Sequence, residues 1–174
     1  MTMPAVHGEA RTRDGVALSF TRHPAAEGAP RIVFAHSLAL DRSLWSGVTE
    51  ALGGRADMIT YDCRGHGRSG RPGGPYTTGQ FADDLADLLD HHGWTDAVVA
   101  GCSMGGCAAQ AFASRYRHRT RAALFVDTTA WYGPDAPRDW AAAPRRHGRR
   151  AWGRWSRSSW PAGSETRSAR PSRS

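Results

Sequence analysis

Asp96-Ala97-Val98-Val99-Ala100-Gly101-Cys102-Ser103-Met104-Gly105-Gly106-Cys107-Ala108-Ala109-Gln110-Ala111-Phe112-Ala113 is the stretch on which the reading of this chain turns. Ala97 to Ala100 is a short apolar run that reads as a buried strand, and Gly106 to Ala113 is small and helix-prone. Between them stands Gly101-x-Ser103-x-Gly105, the pattern of a nucleophile elbow. A serine on so sharp a strand-to-helix turn sits in strained backbone, and only residues without bulk fit two positions to either side. The turn bares the hydroxyl and aims the Met104 amide, at the new helix's N-terminus, toward a developing oxyanion. The competing reading is an ordinary strand-turn-helix with a capping serine.

Outward from this stretch, strand-like and helix-like segments alternate through residues 1–140. Val16 to Phe20 reads as a strand after the Asp14-Gly15 turn, paired with an earlier one near Ala5 to Glu9. Arg31 to Ala35 and Asp57 to Tyr61 read as strands, and Leu44 to Leu52 as an amphipathic helix. Phe81, Leu85, Leu88 and Leu89 fall on one face at helical spacing, with Asp83 and Asp87 on the solvated side. His91 and His92 precede Gly93 at that helix's end, where cations suit the macrodipole, and both read as structural. Ala122 to Val126 reads as a further buried strand. Continuous apolar strands alternating with helices predict an α/β fold, a mostly parallel sheet covered on both sides.

The 174 residues carry a formal charge of +7, and all 23 basic residues are arginine. Nine arginines and one glutamate give residues 141–174 a charge of +8, which leaves residues 1–140 at −1. That tail contains no Leu, Ile or Val, so it is predicted to be disordered and separate from the domain. Three cysteines, Cys63, Cys102 and Cys107, match neither zinc spacing nor a disulfide framework. No metal and no cofactor is expected. Residues 1–15 lack the apolar core of a signal peptide, and no stretch reaches the length of a membrane span. The expected compartment is the cytoplasm, with no membrane partner.

Two more loops carry chemistry. His36-Ser37-Leu38 follows the strand ending at Ala35, and the Leu38 amide is the candidate second oxyanion donor beside Met104. Such a donor is worth about 3 kcal/mol of transition-state stabilisation. Asp62-Cys63-Arg64-Gly65-His66-Gly67-Arg68-Ser69 reads as a tight loop braced by Asp62, Arg64 and His66, with His66 structural rather than a base. In this order the strand, His36-Ser37, Asp62-x-Arg64-Gly65-His66-Gly67-x-Ser69 and Gly101-x-Ser103-x-Gly105-Gly106 resemble the α/β-hydrolase family over residues 14–140. The His-Ser-Leu loop with Asp41 and Trp45, together with Asp127 to Pro134, is similar to 3-oxoadipate enol-lactonase-like hydrolases. The resemblance implies Ser103 as nucleophile, Leu38 and Met104 as oxyanion amides, and a small ester or lactone as substrate. It also implies a lid and two more strands bearing an acid and a histidine, none of which follows here.

A serine needs an imidazole to take its proton and a carboxylate to orient that imidazole. After Ser103 the histidines are His118, among arginines near the end of the elbow helix, and His147 in the tail. Neither is placed for the task by the sequence. Asp127, at the end of its strand, is the candidate substitute acid. The expectation is therefore a serine hydrolase acting on an ester or lactone through a Ser103 acyl-enzyme. Its activity is expected to be impaired because the chain is truncated or shifted in frame near residues 140–147. The alternatives are a half-fold whose Arg/Trp tail binds a polyanion, with nucleic acid disfavoured, and an enzyme whose base is His147 or comes from another subunit. Lacking its neighbours, the strand at Ala122–Val126 is also expected to be an aggregation-prone edge.

Overall fold

The apolar runs form the parallel centre of one mixed sheet. The computed structural model describes residues 3–131 and 133–135. Its strands are β1 (Val6–Arg11), β2 (Ala17–His23), β3 (Arg31–Ala35), β4 (Asp57–Tyr61), β5 (Ala97–Cys102) and β6 (Thr120–Val126), in the order β1-β2-β4-β3-β5-β6. β4, β3, β5 and β6 run parallel. β1 and β2 form the hairpin expected around Gly15, and β2 pairs antiparallel with β4. The tail at 141–174, with His147, lies outside the described residues.

Three helices cover the sheet: α1 (Ser46–Leu52), α2 (Thr78–His91) and α3 (Met104–Arg115). The segment read as one helix over Leu44 to Leu52 starts earlier, as a 3₁₀ turn at Arg42–Trp45 whose Ser43 amide donates to the Asp41 carboxylate at 2.8 Å. α2 begins at a capping box, with Gln80 N–H donating to Thr77 Oγ1 at 3.1 Å and Thr77 N–H to Gln80 Oε1 at 2.8 Å.

Parallel register decides which side chains share a face. Val33, Ile59 and Val99 align, and they meet Phe81, Leu85, Leu88 and Leu89 of α2 and Phe112 of α3 in the larger core. Phe34 and Ala100 align on the other face, where Met58, Trp45 and Leu52 complete a smaller core. Burial of one such Leu or Phe side chain stabilises by about 1.5–3 kcal/mol, so the α2–α3 side carries most of the apolar stabilisation. The α2 carboxylates read as solvated are largely covered by partners: Asp87, 10% exposed, takes a two-pronged contact from Arg13 (2.7 and 2.9 Å), and Asp83 accepts from the Tyr116 hydroxyl (2.6 Å).

Two expectations are corrected. β6 is a strand but not a buried one: Leu124 and Phe125 are 50% exposed and Val126 45%. β5 pairs with one side of it, no described element pairs with the other, and the smaller core stops at β5. His92 is structural, as expected, but as a buried ring and not as a cation at a helix end. Its ring packs against Phe20 at 4.6 Å and Trp94 at 6.0 Å, and its Nε2 is buried without a partner among the described residues. Burial, reinforced by His91, lowers its pKa from 6.5 to about 4. Between those values the unfolded chain holds more protons, so stability rises with pH and is lost as pH falls from 6.5 toward 4. The urea midpoint should fall over that interval, and His92→Leu should flatten the slope. A slope indifferent to the substitution contradicts the neutral buried ring.

Candidate active site

The sheet reverses its winding between β3 and β5. From β3 the chain crosses through α1 to β4 on one side; from β5 it crosses through α3 to β6 on the other. Loops leaving the carboxyl ends of two such strands diverge and open a crevice, the usual ligand position in α/β sheets. The 36–40 loop and Ser103 flank this crevice.

Ser103 caps α3 with φ 50 and ψ −112, a left-handed backbone that a residue with a Cβ adopts only under strain. Three bonds hold it there. Its N–H donates to the Val126 carbonyl (2.9 Å), and its carbonyl accepts from Cys107 N–H (3.0 Å) and Thr128 Oγ1 (2.9 Å). Its hydroxyl makes no hydrogen bond among the described residues. The flanking glycines answer a steric demand. A Cβ on Gly101 would strike the Gly105 carbonyl, and one on Gly105 would strike the Ala35 carbonyl and come within 2.7 Å of the His36 oxygen. The first turn of α3 thus rests backbone-on-backbone against the end of β3.

The two predicted amide donors lie in the segments that follow the neighbouring strands β3 and β5. Met104 opens α3, ahead of the first i→i−4 bond made by Cys107, so its amide has no partner within the helix. Leu38 lies in the turn closed by Leu40 N–H on the Ser37 carbonyl (3.2 Å), where Ala39 has φ 62. The Leu38 amide stays outside that turn's own bond, while its side chain packs on the larger core. Asp127 follows β6 and is exposed, with φ 46. Ala39, Ser103 and Asp127, the described non-glycine residues with positive φ, therefore follow the ends of three neighbouring strands.

The loop after β4 is a polar brace. Asp62, 2% exposed, accepts from Arg42 N–H (2.9 Å), Arg42 Nη1 (3.2 Å) and Arg68 N–H (2.9 Å). Arg64 donates through Nε to the buried Asp84 (2.7 Å) and through Nη1 to Asp14 (2.9 Å). Burial raises the Asp84 carboxyl, and the Arg64 charge offsets part of that rise. Cys63 N–H donates to His36 Nε2 (2.9 Å), which leaves the His36 proton on Nδ1 to donate to the Ser37 carbonyl (2.8 Å). Both nitrogens are thereby spent, and burial lowers the pKa of this ring. His66 donates to the Arg64 carbonyl (3.0 Å) and packs edge-on to His36 at 5.2 Å, with Nε2 buried and unpartnered among the described residues.

No described histidine is positioned to serve Ser103. His118 lies in the 3₁₀ turn at Arg117–Arg119, beyond the far end of the 12-residue α3, and a helix of that length measures about 18 Å. β4, which leads into the His66 loop, lies two strand positions from β5, a distance of about 9.5 Å. Among the described residues no group of His, Cys, Asp and Glu could hold a metal ion, and no helix is long and apolar enough to cross a membrane. None of the three cysteines is in a disulfide. Burial pushes the Cys63 thiol up to about 12. Cys102, beside the elbow and half-buried, is raised by burial and then by the Asp127 charge.

Comparison with known proteins agrees with this fold. The alpha/beta hydrolase fold family matches residues 30–154. The 3-oxoadipate enol-lactonase 2 of Acinetobacter baylyi is 33% identical over 132 residues, covering 75% of this chain and 49% of that protein. Among solved structures, the enol-lactonase from Burkholderia xenovorans superposes with a TM-score of 0.72 at 32% identity, covering 81% of this chain and 55% of that one. A thermophilic esterase from Thermogutta terrifontis gives 0.69 at 32% identity, covering 79% and 50%. The chain spans about half the length of the curated relatives it matches. It belongs to the alpha/beta hydrolase family.

Because the Ala35 carbonyl cannot yield without moving β3, Gly105→Ala should lower stability by about 1–3 kcal/mol. Urea titration checks it; an unchanged midpoint means that α3 does not rest on β3.

Proposed function

We propose that this chain carries the nucleophilic half of a serine hydrolase for carboxylic esters or lactones. The observation that supports this most is Ser103 in strained backbone between two close-packed glycines, its main chain tied on three sides and its hydroxyl unbonded among the described residues. Ser103 Oγ attacks the acyl carbon, and the Leu38 and Met104 amides receive the charge that moves onto the carbonyl oxygen. The alcohol, or the ring oxygen of a lactone, leaves, and water then hydrolyses the acyl-enzyme. Relatives named as enol-lactonases and as an esterase favour this substrate class.

The weak element is proton transfer. Asp127 lies close enough to the elbow for its charge to bear on Cys102, and it serves as an orienting acid for an imidazole that the described residues do not supply. Loss of the base alone costs about 10⁶ in turnover in a model serine hydrolase. This chain should therefore hydrolyse activated esters slowly.

With imidazole supplied as base, a fluorophosphonate should label the wild-type chain at Ser103 and leave Ser103→Ala unlabelled. Added imidazole should accelerate ester hydrolysis by the wild type and not by the variant. Asp127→Asn should leave the oxyanion donors in place and reduce the imidazole-dependent rate. An unlabelled wild type, or label retained on Ser103→Ala, defeats the proposal.

A further inference from the structure

Thr128 reaches back from the segment after β6 to the head of α3. Its Oγ1 lies 2.9 Å from the Ser103 carbonyl oxygen and 3.6 Å from Cys107 Sγ. A carbonyl oxygen has no proton to give, so the single Thr128 hydroxyl proton goes to Ser103, and a bond with Cys107 is left to the thiol to donate. The rest of the side chain rests on α3. A Cβ built on Gly106 would come within 2.5 Å of Thr128 Cγ2 and 2.6 Å of its Cβ, so glycine at 106 admits Thr128 to this position. Asp127 supplies the turn: β6 ends at Val126, and the φ of 46 at Asp127 takes the chain out of the strand conformation just before Thr128.

The Ser103 carbonyl thus takes two donors, the Thr128 hydroxyl and Cys107 N–H at 3.0 Å. The peptide joining Ser103 to Met104 is trans, and in a trans peptide the carbonyl and the amide point opposite ways. Whatever fixes the Ser103 oxygen therefore also fixes the Met104 N–H, which points out past the start of α3. Of the three ties on the Ser103 main chain, those to the Val126 carbonyl and from Cys107 N–H are backbone bonds of the strand end and the helix. The tie from Thr128 is the one that a side chain makes. A serine at φ 50 and ψ −112 is strained, and such backbone persists where its surroundings over-determine it.

We propose that Thr128 is a positioning residue for the elbow: by holding the Ser103 carbonyl, its hydroxyl sets both the stance of Ser103 and the direction of the Met104 amide. This role rests on the reading of Ser103 as nucleophile and Met104 as oxyanion donor. Thr128 acts through the peptide that it holds and not on the reacting atoms. A misdirected amide fails the oxyanion in the transition state and leaves binding of the uncharged reactant as it was, so the effect belongs to the chemical step.

Fluorophosphonate labelling of the full chain, with imidazole as base and across reagent concentrations, separates the limiting rate from the half-saturating concentration. In that step Ser103 Oγ bonds to phosphorus, fluoride leaves, imidazole takes the proton, and the phosphoryl oxygen occupies the oxyanion position. Thr128→Val keeps the shape and loses the hydroxyl. Its limiting rate should fall about tenfold, the rate equivalent of one hydrogen bond, with half-saturation unchanged. Thr128→Ser keeps the donor and should stay within about threefold of the wild type. Thr129→Val removes a hydroxyl from the same segment, one that bonds Trp131, and should label at the wild-type rate. Circular dichroism checks that each variant is folded; if Thr128→Val is not, Thr128→Ala replaces it as the chain without the hydroxyl. Equal limiting rates in the wild type and the hydroxyl-free variant overturn the positioning role and leave Ser103 as nucleophile. So does a Thr128→Ser chain as slow as the hydroxyl-free one, or an equal loss in Thr129→Val. A wild type that takes no label overturns both readings.

Discussion

One contact carries the geometry of the crevice: the first turn of α3 lying backbone-to-backbone on the end of β3. No side chain stands between Gly105 and the carbonyls of Ala35 and His36. That absence sets how far α3 sinks against the sheet, and so fixes the height of Ser103 above it. Gly101 obeys the same constraint from the strand side, since the helix folds back over it. β3 and β5 are the strands where the winding reverses, so this close approach falls at the head of the crevice. The strain at Ser103 follows: a chain that must turn this tightly has no unstrained backbone available to a serine.

The opposite wall is held by polarity rather than by apolar packing. Asp62, Arg64, Asp84 and His36 are all nearly inaccessible, and each finds partners. Removal of one member would strand a charge or a donor, which costs several kcal/mol where the burial itself gains little. Such a brace contributes definition more than stability. It gives the loops after β3 and β4 one arrangement, held by directional bonds from the hairpin, the 3₁₀ turn at Arg42–Trp45 and α2 together.

Local pattern made much of this legible. The elbow, the strand runs and the apolar stripe of α2 are spelled out in consecutive residues and survive as α3, the sheet and the larger core. What escaped depended on distant partners. Asp84 sits three residues after Phe81 and four before Leu88, hence on the apolar stripe, and that was a signal. Its meaning rested on Arg64, twenty residues away, and a single sequence does not pair them. His92 reads as a helix-end cation until Phe20 of the hairpin closes over it. β6 is the mixed case: its apolar letters read as a buried strand, while the expectation of an open edge holds among the described residues, where its side chains emerge half exposed. Nothing in the letters around Asp127 announces a left-handed backbone, because no glycine marks the spot.

The three thiols differ in a way that bears on how this molecule would be misjudged at the bench. Cys63 is sealed beneath the loop after β4 and holds its proton to about pH 12. Cys102 is the neighbour of Ser103 and is partly open to solvent. An alkylating agent would therefore meet Cys102 first and leave a bulky adduct beside the serine. On the proposed reading, loss of turnover after iodoacetamide would then report crowding beside Ser103 and would imitate a catalytic cysteine.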